Sequence, residues 1–181
     1  MRKKLQMHTT DYRGDTMIEI LRVITSEQIA ATAKLANEIW REHYTPIIGA
    51  EQVDYMIAKY QSPDAIRTQI DQNELVYYLL YVGRQPAGYF AIQVRSDEVF
   101  LSKLYVSKTY RKQGLAGKAI GFIKSVAADN CLRRISLTIN KNNRASLAAY
   151  EKLGFKSEKA VVTDIGNGFV MDDYILALHT G

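Results

Sequence analysis

The residues best suited to chemistry fall in two stretches. The first is Leu104-Tyr105-Val106-Ser107-Lys108-Thr109-Tyr110-Arg111-Lys112-Gln113-Gly114-Leu115-Ala116-Gly117-Lys118. An apolar, strand-like run gives way to a short basic turn, and a helical pattern begins near Gly114. A helix start presents unpaired backbone N–H groups and the positive end of the helix dipole. A pyrophosphate can sit there if no side chain stands in the way. Gly114, Ala116 and Gly117 keep that approach open, while Arg111 and Lys112 add charge at the rim. The turn is not the dinucleotide fingerprint G-x-G-x-x-G, and it lacks the G-K-S/T ending of the nucleoside triphosphate loop. Those absences steer away from NAD and ATP. By itself such a turn also fits an ordinary helix with a small-residue start.

The second stretch runs Asn140-Lys141-Asn142-Asn143-Arg144-Ala145-Ser146-Leu147-Ala148-Ala149-Tyr150-Glu151-Lys152-Leu153-Gly154-Phe155. Asn143 stands at a helix start, where Asn is a natural cap. Tyr150 lies on the helix, and Gly154-Phe155 reads as a helix stop followed by a core aromatic.

Together the two stretches resemble the GNAT superfamily of N-acetyltransferases. Arg111, Gly114 and Ala116 occupy the fixed places of its Q/R-x-x-G-x-G/A motif. Asn143, Ser146, Tyr150, Gly154 and Phe155 match its N-x-x-A/S-x-x-x-Y-x-x-x-G-F segment. The resemblance implies acetyl-CoA as cosubstrate and no metal. It implies that the fourth strand splays from the fifth, with the pantetheine arm in the gap along Leu104, Tyr105 and Val106. Leu104 and Val106 would make strand-like hydrogen bonds to that arm. The pyrophosphate would rest on backbone N–H groups of Arg111, Lys112, Gln113, Gly114, Leu115, Ala116 and Gly117. Asn143 would contact the cofactor or cap its helix. Tyr150 would sit beside the sulfur and give a proton or hydrogen bond to the thiolate that leaves when an amine attacks the thioester.

The acceptor side is less specific. The whole-chain pattern also resembles bacterial polyamine (spermidine/spermine) acetyltransferases, through Trp40, His43 and Tyr44 in the first helical region and Asp172 and Asp173 in the last strand. The acceptor classes, in order, are a small polyamine or related amine, another small amine, and a peptide or protein N-terminus. A catalytically inactive CoA-binding regulator is a further alternative, which an intact Tyr150 argues against. Members of the family often carry a glutamate base on the fourth strand. Here that strand reads Phe100-Leu101-Ser102-Lys103, and Glu98 stands at its very start. Glu38, His43, Asp172 and Asp173 are the other groups able to take the amine proton, and each also fits as plain surface or core.

The elements that must position these residues follow from periodicity. Residues 17–24 read as a strand, and a helix capped at Thr25-Ser26-Glu27 follows and breaks at Pro46 and Gly49. Residues 51–60 form a second helix, and Ser62-Pro63 opens a third that runs to Gln72. Residues 75–82 are a nearly continuous apolar run, which suits a strand covered on both faces. Gly83-Arg84-Gln85-Pro86 reads as a turn, with strands at 87–95 and 99–106. A helix over 114–130, a strand over 134–139, a helix over 143–153 and strands at 156–164 and 169–178 complete the chain. The fold expected is a single α/β (α+β) GNAT domain over 17–179: a mixed central sheet of about seven strands with helices on both faces. Residues 1–16 read as a polar, flexible leader.

Composition narrows the rest. The 181-residue length suits one domain. One cysteine, Cys131, rules out an internal disulfide and reads as a small buried apolar residue. The basic start Met1-Arg2-Lys3-Lys4 is followed by no apolar run, and no stretch reaches a membrane span. A cytoplasmic protein is expected, with no membrane partner. Residues 103–159 carry 13 Lys/Arg against 3 Asp/Glu, and the remainder is net acidic. Both motifs lie inside the basic block, so a phosphate-bearing cofactor accounts for it. With no helix-turn-helix, zinc finger or RNA-binding aromatic motif, nucleic acid is not expected. The acidic remainder favours a cationic acceptor. The resemblance also implies homodimer formation, which is common in that family.

Overall fold

The computed structural model describes residues 10–13 and 16–181. Its elements run β1 (Thr10–Arg13), β2 (Thr16–Arg22), α1 (Ser26–Ile48), α2 (Ala50–Tyr60), α3 (Pro63–Asp71), β3 (Val76–Val82) and β4 (Gln85–Val94). They continue with β5 (Val99–Val106), a 3-10 turn (Lys108–Tyr110), α4 (Leu115–Asp129), β6 (Arg134–Asn140), α5 (Arg144–Lys152), β7 (Lys156–Gly166) and β8 (Phe169–His179). The strands form one eight-stranded sheet ordered β1-β2-β3-β4-β5-β6-β8-β7. The β5–β6 pair is parallel, and the other neighbours are antiparallel.

Helices cover both faces, as the strand pattern requires. On one face α4 sets Leu115, Ala119, Ile120 and Ile123 against Phe90, Leu101, Leu137 and Phe155. On the other, α1 and α3 bury Ile29, Ala36 and Ile66 against Tyr77, Leu79 and Tyr89. Full burial of each such side chain stabilises by roughly 1.5–3 kcal/mol. Strand β3 serves both layers, Leu79 on one and Leu80 on the other, which explains its unbroken apolar run. A smaller cluster joins Trp40 and Tyr44 of α1 to Val53 and Met56 of α2.

Caps fix the helix starts. Thr25 and Gln28 form a capping box at α1, and Ser62 accepts from Ala65 N–H at α3. Pro46 does not end α1. It lies in the last turn, where its missing N–H leaves the Glu42 carbonyl without an intrahelical partner, and the helix runs on to Gly49. Gln85-Pro86 belongs to β4 rather than to the turn. Pro86 sits beside a register shift at the start of the strand, where a missing ladder donor is tolerated. Cys131 is exposed, not buried, because it falls past the end of α4 at φ 57°. Within the stretch read as a leader, Thr10–Arg13 pairs with β2 and supplies the eighth strand; residues 1–9 lie outside the described residues.

Candidate functional site

The central parallel pair comes apart. Strands β5 and β6 register at Val99↔Ile135 and Phe100↔Ser136 and no further. Yet β5 stays paired with β4 as far as Val106, and β6 with β8 as far as Asn140. The divergence coincides with a bulge. Ala91 faces Lys103 and Ile92 faces Leu101, so Ser102 is the extra residue. A bulge bends its strand and increases local twist, which turns the end of β5 away from β6. Beyond Phe100, β5 has backbone groups on this edge without ladder partners, as at a sheet edge.

The gap widens into a cleft of about 630 Å³, within the range of small-molecule sites. Its walls are Leu104, Tyr105 and Val106 of β5, Leu137, Thr138 and Ile139 of β6, the start of α4, one side of α5, and Ile39, His43 and Tyr44 of α1. Thr138 is exposed in an otherwise covered strand because it faces this gap. No residue of helix α5 is fully covered; Ala145, Ala148 and Ala149 line the cleft, and Leu147, Tyr150 and Leu153 rest half-buried against the core.

At the head of the cleft the chain leaves β5 through the 3-10 turn and enters α4. Gly114 adopts the left-handed conformation, φ 84° and ψ 2°, and no side chain caps the helix. The first intrahelical bond runs from Lys118 N–H to Gly114 at 3.0 Å. The amides of Leu115, Ala116 and Gly117 therefore point out of the helix end, beside the cleft. Across the sheet, Gly88 lets β4 approach closely: a Cβ there would meet the Tyr105 carbonyl oxygen at 2.5 Å. The donors, small residues and walls suit an extended ligand ending in a diphosphate.

Arg111 is held from two sides. Its Nε donates to the Val106 carbonyl at 3.0 Å, and its terminal nitrogens bond both oxygens of Glu42 on α1. That guanidinium holds the Glu42 carboxyl below the usual carboxylate range. Lys112 lines the cleft at φ 63°, whereas the Gln113 side chain donates to the Thr109 carbonyl and is not part of the wall.

Where the walls meet α1, polar and aromatic groups converge. Asn143 caps α5 through Ser146 N–H at 3.4 Å, faces His43 Nε2 at 3.2 Å and donates to the Tyr44 hydroxyl at 3.4 Å. Tyr44 stacks on Trp40 with ring centroids 4.5 Å apart, and Tyr105 meets both rings edge-on. Burial, above all, pushes the Tyr44 phenol to about 12. Tyr150 lines the cleft with its ring edge-to-face on Phe155. Burial pushes its pKa up, and Tyr44 adds to the effect, so the phenol stays protonated.

The remaining residues singled out in the sequence lie elsewhere. Trp40 is buried behind Tyr44 in the aromatic cluster and is not part of the wall. Asp172 is exposed and pairs with Lys141, and Asp173 is buried next to it; neither lines the cleft. Glu38 is exposed outside the cleft. Glu98 is buried at the opposite end of β5, between Arg95 and Arg134, which leaves it no access to the cleft. Lys103 lies under the α1 layer with its Nζ 5.5 Å from the Tyr77 ring centre, and burial lowers its pKa to about 8. The sequence reading missed Thr138, Tyr110 and Glu42. The two hydroxyls Ser136 and Thr138, on one face of the run 134–139, were the available signal for the first; nothing in the sequence marked the pairing of Glu42. Among the described residues no group of His, Cys, Asp and Glu is placed to hold a metal ion, and no helix is long and apolar enough to cross a membrane.

Comparison with known proteins agrees with this geometry. Residues 33–155 match the acetyltransferase (GNAT) family, and the chain belongs to that family. It is similar to a spermidine N(1)-acetyltransferase of Thermoplasma acidophilum, 20% identical over 84% of this chain and 94% of the relative. An L-2,4-diaminobutyric acid acetyltransferase of Methylotuvimicrobium alcaliphilum is 31% identical over 50% of this chain and 52% of its own length. Among solved structures, PaiA N-acetyltransferase from Thermoplasma acidophilum in complex with coenzyme A superposes with a TM-score of 0.76, at 19% identity, covering 90% of this chain and 98% of that one. The protein is thus an acetyl-CoA-dependent N-acetyltransferase that acetylates an amine.

Proposed function

We infer that the acceptor is a small aliphatic polyamine or diamine, acetylated on a primary amine. The observation that supports this is the packing behind Tyr44, which clusters with Val53, Tyr55, Ile165 and Met171. Helix α2 is stitched to the β7–β8 hairpin: Tyr55 Oη and Lys59 Nζ donate to the Ile165 carbonyl at 2.6 and 2.7 Å, and Gln52 Nε2 donates to the Val170 carbonyl at 3.0 Å. These bonds join the elements beyond Tyr44, where an extended peptide would need an open groove. The acceptors named for the two curated relatives each carry at least two amino groups, in line with a small polyamine.

Bound acetyl-CoA supplies an activated acetyl thioester. The protein's part is to hold it and place the amine. The amides of Leu115, Ala116 and Gly117 would hold the diphosphate, Lys112 would add positive charge, and Arg111 stiffens the turn. Leu104 and Val106, on the unpaired edge of β5, would carry the pantetheine arm. The neutral amine would form the new C–N bond as the C–S bond breaks; the electron pair would leave with the sulfur as thiolate, the amine's surplus proton would pass to solvent, and Tyr150 would donate a hydrogen bond to the departing sulfur. Its raised pKa lies well above that of a thiol, about 8.5, so stabilising the thiolate by hydrogen bonding is favoured over full proton transfer. Asn143 holds His43 and Tyr44 at the same end of the cleft.

Steady-state rates with acetyl-CoA across a panel of polyamines, diamines, monoamines and peptides with free N-termini test this reading. Polyamines or diamines should give the highest kcat/KM, at least tenfold above butylamine. Faster turnover of a peptide would overturn it.

A further inference from the structure

Among the described residues no carboxylate lines the cleft, although an attacking amine has a proton to lose. The titratable groups on the wall are phenols, cations and His43. A phenol is protonated near neutral pH, and burial pushes those of Tyr44, Tyr105 and Tyr150 higher still. Arg111 and Lys112 are donors without a lone pair. His43 is the group on the wall whose ring offers a basic nitrogen. It meets the cleft at the start of α5, and Tyr150 stands about two turns further along that helix.

Asn143 decides which nitrogen of His43 is basic. Its Oδ1 faces the Ser146 backbone N–H at 3.4 Å and His43 Nε2 at 3.2 Å. A backbone N–H can only donate, so the Asn143 atom turned to it is the carbonyl oxygen. The amino group of Asn143 goes the other way, to the Tyr44 hydroxyl at 3.4 Å. A carbonyl oxygen can only accept, so Nε2 carries the hydrogen, and the neutral ring has its lone pair on Nδ1. Nδ1 has no hydrogen-bond partner among the described residues. The charged groups of the neighbouring elements are engaged elsewhere. Glu42 is held by Arg111, with Lys108 behind it. Asp54 of α2 pairs with Arg41, and Asp172 of β8 with Lys141. Asp173 is covered and outside the cleft. We propose, on the reading of direct attack given above and whichever amine attacks, that His43 Nδ1 is the catalytic base and that Asn143 is the positioning residue that fixes its tautomer. The lone pair of the amine forms the C–N bond, and the nitrogen becomes cationic. Its proton passes to Nδ1, while the N–H electron pair stays on nitrogen. The C–S pair leaves with the sulfur as thiolate, and the imidazolium returns its proton to solvent.

Two readouts test this. The first is nitrogen NMR of the wild type above about pH 8, where an imidazole is neutral. The chain has 3 histidines, and loss of a signal in His43→Gln assigns the one of interest. Nε2 should resonate as a protonated nitrogen and Nδ1 as an unprotonated one; the opposite tautomer overturns the proposal. The second is the pH profile of single-turnover acetyl transfer, with acetyl-CoA bound and the best acceptor of the amine panel saturating. His43→Gln should slow transfer by about 100-fold or more and flatten the acid limb of the profile. Asn143→Asp keeps the cap and the acceptor for Nε2 but adds a negative charge, which favours the imidazolium. Its acid limb should move to higher pH by about one unit, a shift that a purely structural Asn143 would not produce. An acid limb unmoved in Asn143→Asp, or transfer by His43→Gln within about threefold of the wild type, removes His43 from the chemistry and leaves the acceptor reading untouched. A burst of CoA release before any amine is added would instead overturn direct attack, and the base assignment with it.

Discussion

The carboxylate of Glu42 grips Arg111 with both oxygens, at 3.2 and 2.5 Å, and so ties α1 to the turn that leads into α4. Glu42 directly precedes His43 and Tyr44, and Arg111 also holds the Val106 carbonyl at the end of β5. One ion pair thus spans the turn into α4 and the helix at the inner end of the cleft. Both side chains are about one-third exposed, and an exposed pair of this kind contributes about 0.2–1 kcal/mol. Glu42→Gln should accordingly raise the KM for acetyl-CoA by up to about fivefold and leave kcat within twofold. Arg111→Lys should not restore the contact, because an ammonium cannot reproduce the two-pronged geometry. Steady-state kinetics at low ionic strength, where screening is weakest, measure the split. An unchanged KM would show that the turn is rigid without the pair.

Tyr150 offers a test of the leaving-group role. Its ring keeps its edge-to-face contact with Phe155 whether or not the hydroxyl is present. Tyr150→Phe should therefore fold normally and bind CoA with wild-type affinity. Losing a hydrogen bond to a developing thiolate costs about 1.5–3 kcal/mol, so single-turnover acetyl transfer should slow by roughly 10- to 150-fold. Because burial and Tyr44 push this phenol's pKa up, its ionisation should cause no fall in rate between pH 8 and about 10. Wild-type single-turnover rates in the variant would remove Tyr150 from the chemistry.

Much of this was legible before the structure. Helices α1 to α5 and the strands from β2 onward stand close to where periodicity and caps put them, since Thr25, Ser62 and Asn143 each signal a start by the bonds they make. The turn into α4 was legible because it is local: it lies in consecutive residues from Val106 to Gly117. What was hidden is non-local. The bulge at Ser102 depends on how β5 registers with β4, and no single-strand pattern contains that. Glu42 and Arg111 are distant in sequence, as are Tyr44 and Asn143. Pro46 misled because its position in the last turn of α1, rather than its type, decides its effect. Thr10–Arg13 showed too few alternating residues to declare a strand before its pairing with β2 was known.

Two glycines hold the end of β5 and the turn into α4 for different reasons, and mutation separates them. At Gly88 a methyl group would collide with the Tyr105 carbonyl at 2.5 Å and press on Val106 Cα at 3.2 Å, both backbone atoms. Gly88→Ala must push β5 off β4, at a cost of about 1–3 kcal/mol or more, and it moves the wall of the cleft as well. At Gly114 a Cβ meets nothing within 4 Å, so the penalty is conformational alone, about 1–2 kcal/mol for a left-handed residue. Urea unfolding should show both losses, and Gly114→Asn should recover part of its loss because Asn tolerates this conformation. CoA titration should show the larger affinity loss for Gly88→Ala if the end of β5 is what holds the pantetheine arm. Equal affinity in that variant and the wild type would argue against the arm lying there.

The Asp173 carboxyl also sets a pH dependence of stability whose sign follows from its pKa. In the unfolded chain an Asp titrates near 3.9; in the folded protein, burial and the charge of Asp172 raise this to about 6 against the opposing pull of Lys141. The folded state therefore holds its proton more tightly. Its contribution is fully present below about pH 4 and is lost as the pH rises through about 6, where the carboxylate ionises in place. Above that range the ionised group costs up to about 3 kcal/mol. Asp173→Asn removes the ionisation and keeps the shape. Its urea midpoint should match the wild type near pH 4 and exceed it at pH 7.5. A difference of the same size at both pH values would place the effect in packing rather than in charge.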